Sequence, residues 1–379
     1  MRTKLSGGLV VAILATTAGI GIAGCASSNS SSSATSSATA AAHTSPMQKL
    51  LMPYLKPPTT LSVSTPLSKR PPAGKSIYYL NQGITIAQEN GLGVQAASEA
   101  LGWNYHSLAV NAGNPSTIVS GMLSAINAGA NVVVINATPT VIYKSALATA
   151  EAHGTLIIDA SSGNTPIPGV TAYVNRAVPN GLTFGRMEAL EALASAAQAG
   201  KTAHVLIATS PAFATILGPI DVAIGSTITK YCRNCTVQTL NVGYGQIAAG
   251  AGPAAVVSYL QSHPDVNYVL QDANFLDQGL PQALKAAGLS GVKIIGDGAL
   301  APQLDELKAG TEEAWVDVPL QVEGWMEVDA AARALVGDDA AVYNNAEMPS
   351  YLLTQADPTA AAEVPVDYAE LFKKMWHVS

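Results

Sequence analysis

YCRNCTV places Cys232 and Cys235 three positions apart, a C-x-x-C spacing compatible with a disulfide, a redox pair or half of a metal site. A redox pair needs a helix N-terminus to lower the pKa of one thiol, in a thioredoxin-like βαβ setting. Here the pair closes a predicted helix and precedes a predicted strand. It reads as a small structural disulfide, the usual state of such cysteines outside the cytoplasm. A second motif, GLGVQA at residues 91–96, fits G-x-G-x-x-A, which cradles a pyrophosphate only in a tight strand-to-helix turn. It falls well past the preceding strand, inside a predicted helix, so no nucleotide and no other cofactor is expected. His43, His106, His153, His204, His263 and His377 show no metal-ligand spacing, and no metal is expected. No G-x-S-x-G elbow and no hydrolytic carboxylate pair stands out, so no catalytic residue is assigned and the chain is not read as an enzyme.

The 379 residues suffice for two ordinary cores, and 48% of them are hydrophobic. Only 12% are charged and the formal net charge is -7, which leaves no basic surface to neutralise a phosphate backbone and argues against a nucleic-acid partner. Arg2 and Lys4 precede an apolar run, Gly7 to Ile20, of signal-peptide proportion. Ile22-Ala23-Gly24-Cys25 then resembles the bacterial lipobox, in which the cysteine is lipidated and becomes the first mature residue. Residues 1–24 are therefore expected to be a lipoprotein signal peptide, and Cys25 the lipid attachment outside the cytoplasm. Residues 25–46, nearly all Ser, Ala and Thr, carry too little apolar surface to repay ordering and are expected to be a tether spanning about 25 Å. Residues 47–74, richer in Pro and apolar side chains, read as a partly docked extended arm.

From Ser76 onward, short β-rich apolar runs alternate with Ala-rich stretches of helical period. Strands are predicted at 76–81, 107–111, 131–136 and 155–160, with helices over about 86–101, 115–128 and up to His153. After a helix around 180–198 the alternation restarts, with strands at 204–210, 237–243, 267–272 and 292–298. Helices are predicted near 214–230, 250–262 and 277–287. This pattern predicts an α/β protein of two Rossmann-like, doubly wound lobes with a hinge, with ligand groups at the carboxyl ends of the strands. The first lobe is expected to comprise 75–200 plus 319–347, and the second 201–318 plus 348–379.

Particular stretches narrow the reading. YYLNQG, VVVINATP, TLIIDA, SYLQSHPDVNYVLQD, IIGDGA and AWVDVPLQVEGW resemble, in order, strand-end and hinge segments of ribose-binding-protein-like solute receptors of ABC importers, the type I periplasmic binding fold. The resemblance covers nearly all of residues 76–354. The PPTTL and PPAGK arm, LGW and the C-x-x-C make it similar to the actinobacterial lipoproteins of that group. It implies a receptor that closes on a small molecule, most readily a sugar or polyol, and delivers it to a membrane permease as a monomer.

The same resemblance implies ligand contacts at Asn81, Asn136, Asp159 and Asp297, with Tyr244 near a cleft aromatic. Gln82, Asn274 and the hinge residue Asp317 complete the candidate set. Each Asp can equally be the N-cap of the next helix, and Asn136 a turn residue. Trp315 and Trp325 read as core or hinge packing. The sequence also departs from the family pattern. Ala160 stands where an arginine follows the fourth-strand aspartate, and SPAFATILGPI lacks the arginine after the fifth strand. A cleft that keeps carboxylates and loses arginines suits a polyhydroxylated neutral or an amine-bearing ligand and disfavours an anion, unless Arg176 turns inward. The rival readings are a sensory receptor on the same fold and an exported enzyme.

Overall fold

The structure, a computed structural model, describes residues 45–111, 113–357 and 363–378. The expected signal peptide, Cys25 and nearly all of the tether lie outside the described residues. The tether prediction is corrected at its end. Ser45 caps α1 (Pro46–Leu51) by exchanging hydrogen bonds with Gln48, and a 3-10 turn over Met52–Tyr54 follows, so the arm starts as a helix before it becomes extended.

The chain then alternates through β1 (Ser76–Asn81), α2 (Thr85–Ala100), β2 (Asn104–Ala109), α3 (Pro115–Asn127), β3 (Val132–Asn136), α4 (Thr140–Tyr143), α5 (Leu147–His153), β4 (Leu156–Ala160) and β5 (Ala172–Val174). These strands form one parallel sheet in the order β2-β1-β3-β4-β5. Next come α6 (Ala177–Gln198), β6 (His204–Thr209), α7 (Ala214–Tyr231), β7 (Thr236–Asn241), α8 (Tyr244–Ala248), α9 (Gly252–Ser262), β8 (Tyr268–Gln271), α10 (Leu280–Ala286), β9 (Lys293–Asp297), α11 (Ala301–Ala309) and β10 (Ala314–Asp317). After α12 (Leu320–Val336), β11 (Tyr351–Thr354) joins the second sheet, and α13 (Tyr368–Met375) ends the body. The second sheet runs β11-β10-β9-β8-β6-β7, with β11 antiparallel to β10.

Continuous apolar runs form these strands because both faces of each sheet are covered. In β3, Val132 and Val134 join the core under α2 and α12, whereas Val133 and Ile135 join a separate cluster with Met122, Ile126 and Tyr143. Edge strands β2 and β7 are more exposed and more polar. β2 begins at Asn104, earlier than predicted, because pairing with β1 in the register Ser76 to Asn104 extends it over polar residues that have no apolar signature.

GLGVQA lies wholly within α2. A Cβ on Gly93 would sit 2.2 Å from the Gln321 carbonyl oxygen, so its glycine serves close packing of α2 on α12. Cys232 and Cys235 form a disulfide at the end of α7, with Cα atoms 5.4 Å apart.

Two elements sit differently from the expected division of the chain. α6, expected in the first lobe, packs on α7 and the second sheet, where Tyr268 of β8 donates to Ser195 at 3.1 Å. Its apolar face, rich in Ala and Leu, matches a sheet face, and that property cannot tell which of two similar sheets will cover it. α13, expected in the second lobe, packs on α12, where Trp376 stacks on Trp325 at 5.2 Å and donates to Asp329 at 2.6 Å. The buried Asp329 carboxylate, which also accepts from Arg333 and Tyr343, is the reason that Trp376 is drawn there.

Candidate functional site

The carboxyl ends of the two sheets face each other. A Cβ on Gly163, which follows β4, would lie 1.9 Å from the carbonyl oxygen of Thr215 at the start of α7, so the two lobes meet there. Backbone geometry shapes the first-lobe edge. Ala137, Ser161 and Asn175, the residues directly after β3, β4 and β5, take φ of 47°, 48° and 49°. Such φ values are costly for residues with a Cβ and tend to cluster at functional edges. They let the Ala137 amide reach Ala160 O at 2.9 Å and the Ser161 amide reach Val174 O at 3.0 Å, so the ladder continues past the strand ends.

Asn136, buried at the end of β3, donates to Asn90 at 2.7 Å and to the Tyr79 hydroxyl at 3.0 Å. Its Oδ1 is buried without a partner. Asn90 in turn donates to Glu327 of α12 at 3.0 Å. Gln82 ties the edge together through Asn136 O at 2.7 Å, and Asn81 accepts from the Gly83 amide at 2.8 Å in a local turn.

Asp159, fully buried at the end of β4, accepts on Oδ2 from Asn164 at 2.7 Å and from the Tyr143 hydroxyl, while Oδ1 has no partner. Burial raises its pKa to about 6 against those bonds and the nearby charge of Arg176. Arg176 itself donates to Asn344 O at 3.0 Å and Asn164 O at 3.3 Å. Beside this edge, Glu323 of α12 accepts from Ser161 at 2.5 Å and Asn175 at 3.1 Å. Burial moves Glu323 up to about 7 and Glu327 well above the usual carboxylate range.

On the second lobe, Thr209 at the end of β6 donates to Asp272 just beyond β8 at 2.5 Å. Asp297 ends β9 with a buried, unpartnered Oδ1, and desolvation raises it to about 7. Asn274 donates to Gly298 O. Asp317, at the end of β10 where the chain crosses back toward the first lobe, is buried with one free oxygen and held well above its ordinary pKa by desolvation and Glu363. Tyr244 is 56% exposed at the start of α8, with Phe213 6.2 Å away, and Phe213 lies 5.3 Å from Phe275. Trp315 and Trp325 are core residues.

A cavity of about 710 Å³ lies between these edges, walled by Thr85 and Glu89 of the first lobe, Asn274, Ala299 and Gln303 of the second, and Gln321 at the crossing. Asn274 alone among the candidate residues lines it directly. Asn136 and Asp159 come together on one edge, Asp297 and Asn274 on the other, with Asp317 at the crossing. Asn81 and Gln82 are engaged locally. Sequence reasoning missed Asn90, Glu188, Asp221, Asp272, Glu323 and Glu327. A readable signal existed for Glu323 and Glu327, acids four apart in a largely apolar helix, a spacing that puts both on one face.

Facing sheet edges, buried hydrogen-bonding groups with spare acceptors and a cavity between two lobes define a small-molecule binding protein of the type I periplasmic fold. The periplasmic binding protein domain model matches residues 78–339, and the chain belongs to that family.

No curated protein matches the sequence. Solved structures share its fold. An ABC transporter solute-binding protein from Mycobacterium smegmatis with bound glycerol is 19% identical, with TM-score 0.63, over 76% of this chain and 96% of its own. A solute-binding protein from Burkholderia graminis in complex with D-arabinose is 16% identical, with TM-score 0.64, over 76% and 98%. A periplasmic ribose ABC transporter protein from Conexibacter woesei is 16% identical, with TM-score 0.63, over 76% and 94%.

Proposed function

We propose that this protein is the solute receptor of an ABC importer, that it encloses a small polyhydroxylated ligand between its lobes, and that it catalyses no reaction. The observation that carries this reading is the pair of strand-end edges with unpartnered buried acceptors, Asn136 and Asp159 on one and Asp297 on the other, with Asn274 on the cavity wall beside Asp297. Hydroxyl groups can donate to such acceptors, and a ligand that reaches both edges favours the closed form of the hinge. The sugars and polyols bound by structural neighbours, and the ribose transporter among them, support the same class. The lobes divide as 75–176, 319–347 and 363–378 against 177–318 and 348–357. Crossings fall near Asn175, Val318 and Pro349, and the chain returns to the first lobe between residues 357 and 363. Lipidation at Cys25 holds the monomer outside the cytoplasmic membrane, where the closed form meets its permease.

A thermal-shift screen over monosaccharides and polyols tests the reading. A ligand at 100 times its Kd adds about 2.7 kcal/mol of stability, a clear rise in Tm. Recovery of the bound compound unaltered supports a receptor, and its conversion to product overturns that role.

A further inference from the structure

The second-lobe edge carries more carboxyl groups than hydroxyl recognition requires. Asp221 of α7 lies beside Asp272, which accepts from Thr209, and desolvation raises the pKa of both aspartates. Asp272 Oδ1, Asp221 Oδ1 and Asp297 Oδ1 are buried and unpartnered. Independently, Glu188 comes in from α6, fully buried, with neither carboxylate oxygen hydrogen-bonded. The charges acting on it are those of Asp297, Asp272 and Asp221. Four carboxyl groups from α6, α7 and the ends of β8 and β9 thus converge. The residues that follow two of them, Asn274 after Asp272 and Ala299 after Asp297, line the 710 Å³ cavity. At the ends of β6, β7 and β8, Phe213, Tyr244 and Phe275 form an aromatic group on the same edge, and aromatic faces attract cations.

We infer that the ligand carries a protonated amine as well as hydroxyl groups, and that its ammonium is held on the second lobe by Asp272 and Asp297, backed by Asp221 and Glu188. This rests on the saccharide reading above and narrows it. An isolated buried carboxylate is costly, and without a cation these groups avoid the cost by keeping protons. An ammonium supplies the missing positive charge and donates up to three hydrogen bonds to acceptors that have none. Its binding therefore expels a proton to solvent.

The test uses the full-length protein and matched probes: D-glucosamine with D-glucose, D-galactosamine with D-galactose, and 1-amino-1-deoxy-D-sorbitol with D-sorbitol. Thermal shift and calorimetry in two buffers of different ionisation enthalpy are read for each. The expected result is that the amine of at least one pair binds more tightly than its neutral partner, with net proton release that shrinks as pH rises. Asp272→Asn should weaken the amine about tenfold to a hundredfold and bring it level with the neutral compound. Asp297→Asn serves in its place if that variant does not fold. If neutral partners bind as well as amines, or no proton is released, the ammonium assignment is overturned while the saccharide reading stands. If no member of any pair binds, both fall.

Discussion

Asp159 shows how one residue serves structure and site at once. One oxygen is occupied by Tyr143 and Asn164, which fix the carboxyl group, and the other has no partner. Asp159→Asn keeps the volume and an acceptor toward Tyr143, so the ligand-free protein should stay folded by circular dichroism. The ligand-induced rise in Tm should disappear, and a variant that still shows the full rise would remove Asp159 from the site. At this scale the sequence was informative about position and poor about direction. Asn81 and Asp159 both end strands, but Asn81 turns its oxygen to the Gly83 amide two residues on, whereas Asp159 meets partners from α4 and the loop after β4. Such choices depend on which side chains arrive from elsewhere in the chain.

Among elements, the seam between α2 and α12 is set by glycines. A Cβ on Gly324 would approach the Val94 nitrogen to 2.4 Å, contact with backbone that cannot swing aside. Gly324→Ala should therefore destabilise the protein by about 1–3 kcal/mol in urea unfolding, since overpacking forces the helices apart. Gly225, inside α7 with open space around its missing Cβ, provides the opposite case. Gly225→Ala should stabilise by about 0.5–1 kcal/mol through helix propensity alone. Equal effects from the two substitutions would refute the packing account. Helix positions were legible from hydrophobic period, as α7 at Ala214–Tyr231 shows against a predicted 214–230. Helix allegiance was not: α6 and α13 each present an apolar face that either lobe could have covered.

Across the whole molecule, the arm bridges the two lobes. α1 packs on α6, while Arg333 of α12 donates to Thr65 O at 2.7 Å and the Leu67 amide to Met375 O at 3.0 Å. Buried acids give the molecule an unusual pH response. Asp159 is raised to about 6 and Asp297 and Glu323 to about 7, each above its unfolded value, so the folded chain holds protons that the unfolded chain has released. Stability conferred by these groups is greatest near pH 4 and declines as pH rises to about 7, then levels off. The Tm of the ligand-free protein should follow that course, and a Tm that climbs from pH 4 to pH 7 would contradict it. The alternation of short apolar strands with Ala-rich helices was enough to determine two doubly wound lobes, because burial on both sheet faces is a local and periodic demand on side-chain type. The charge of the cleft was decided only by tertiary structure. Glu188 and Asp221 lie mid-helix, far in sequence from Asp272 and Asp297, and nothing local marks them until the packing of α6 and α7 on the second sheet buries Glu188 fully, and Asp221 in part, beside the two strand-end aspartates.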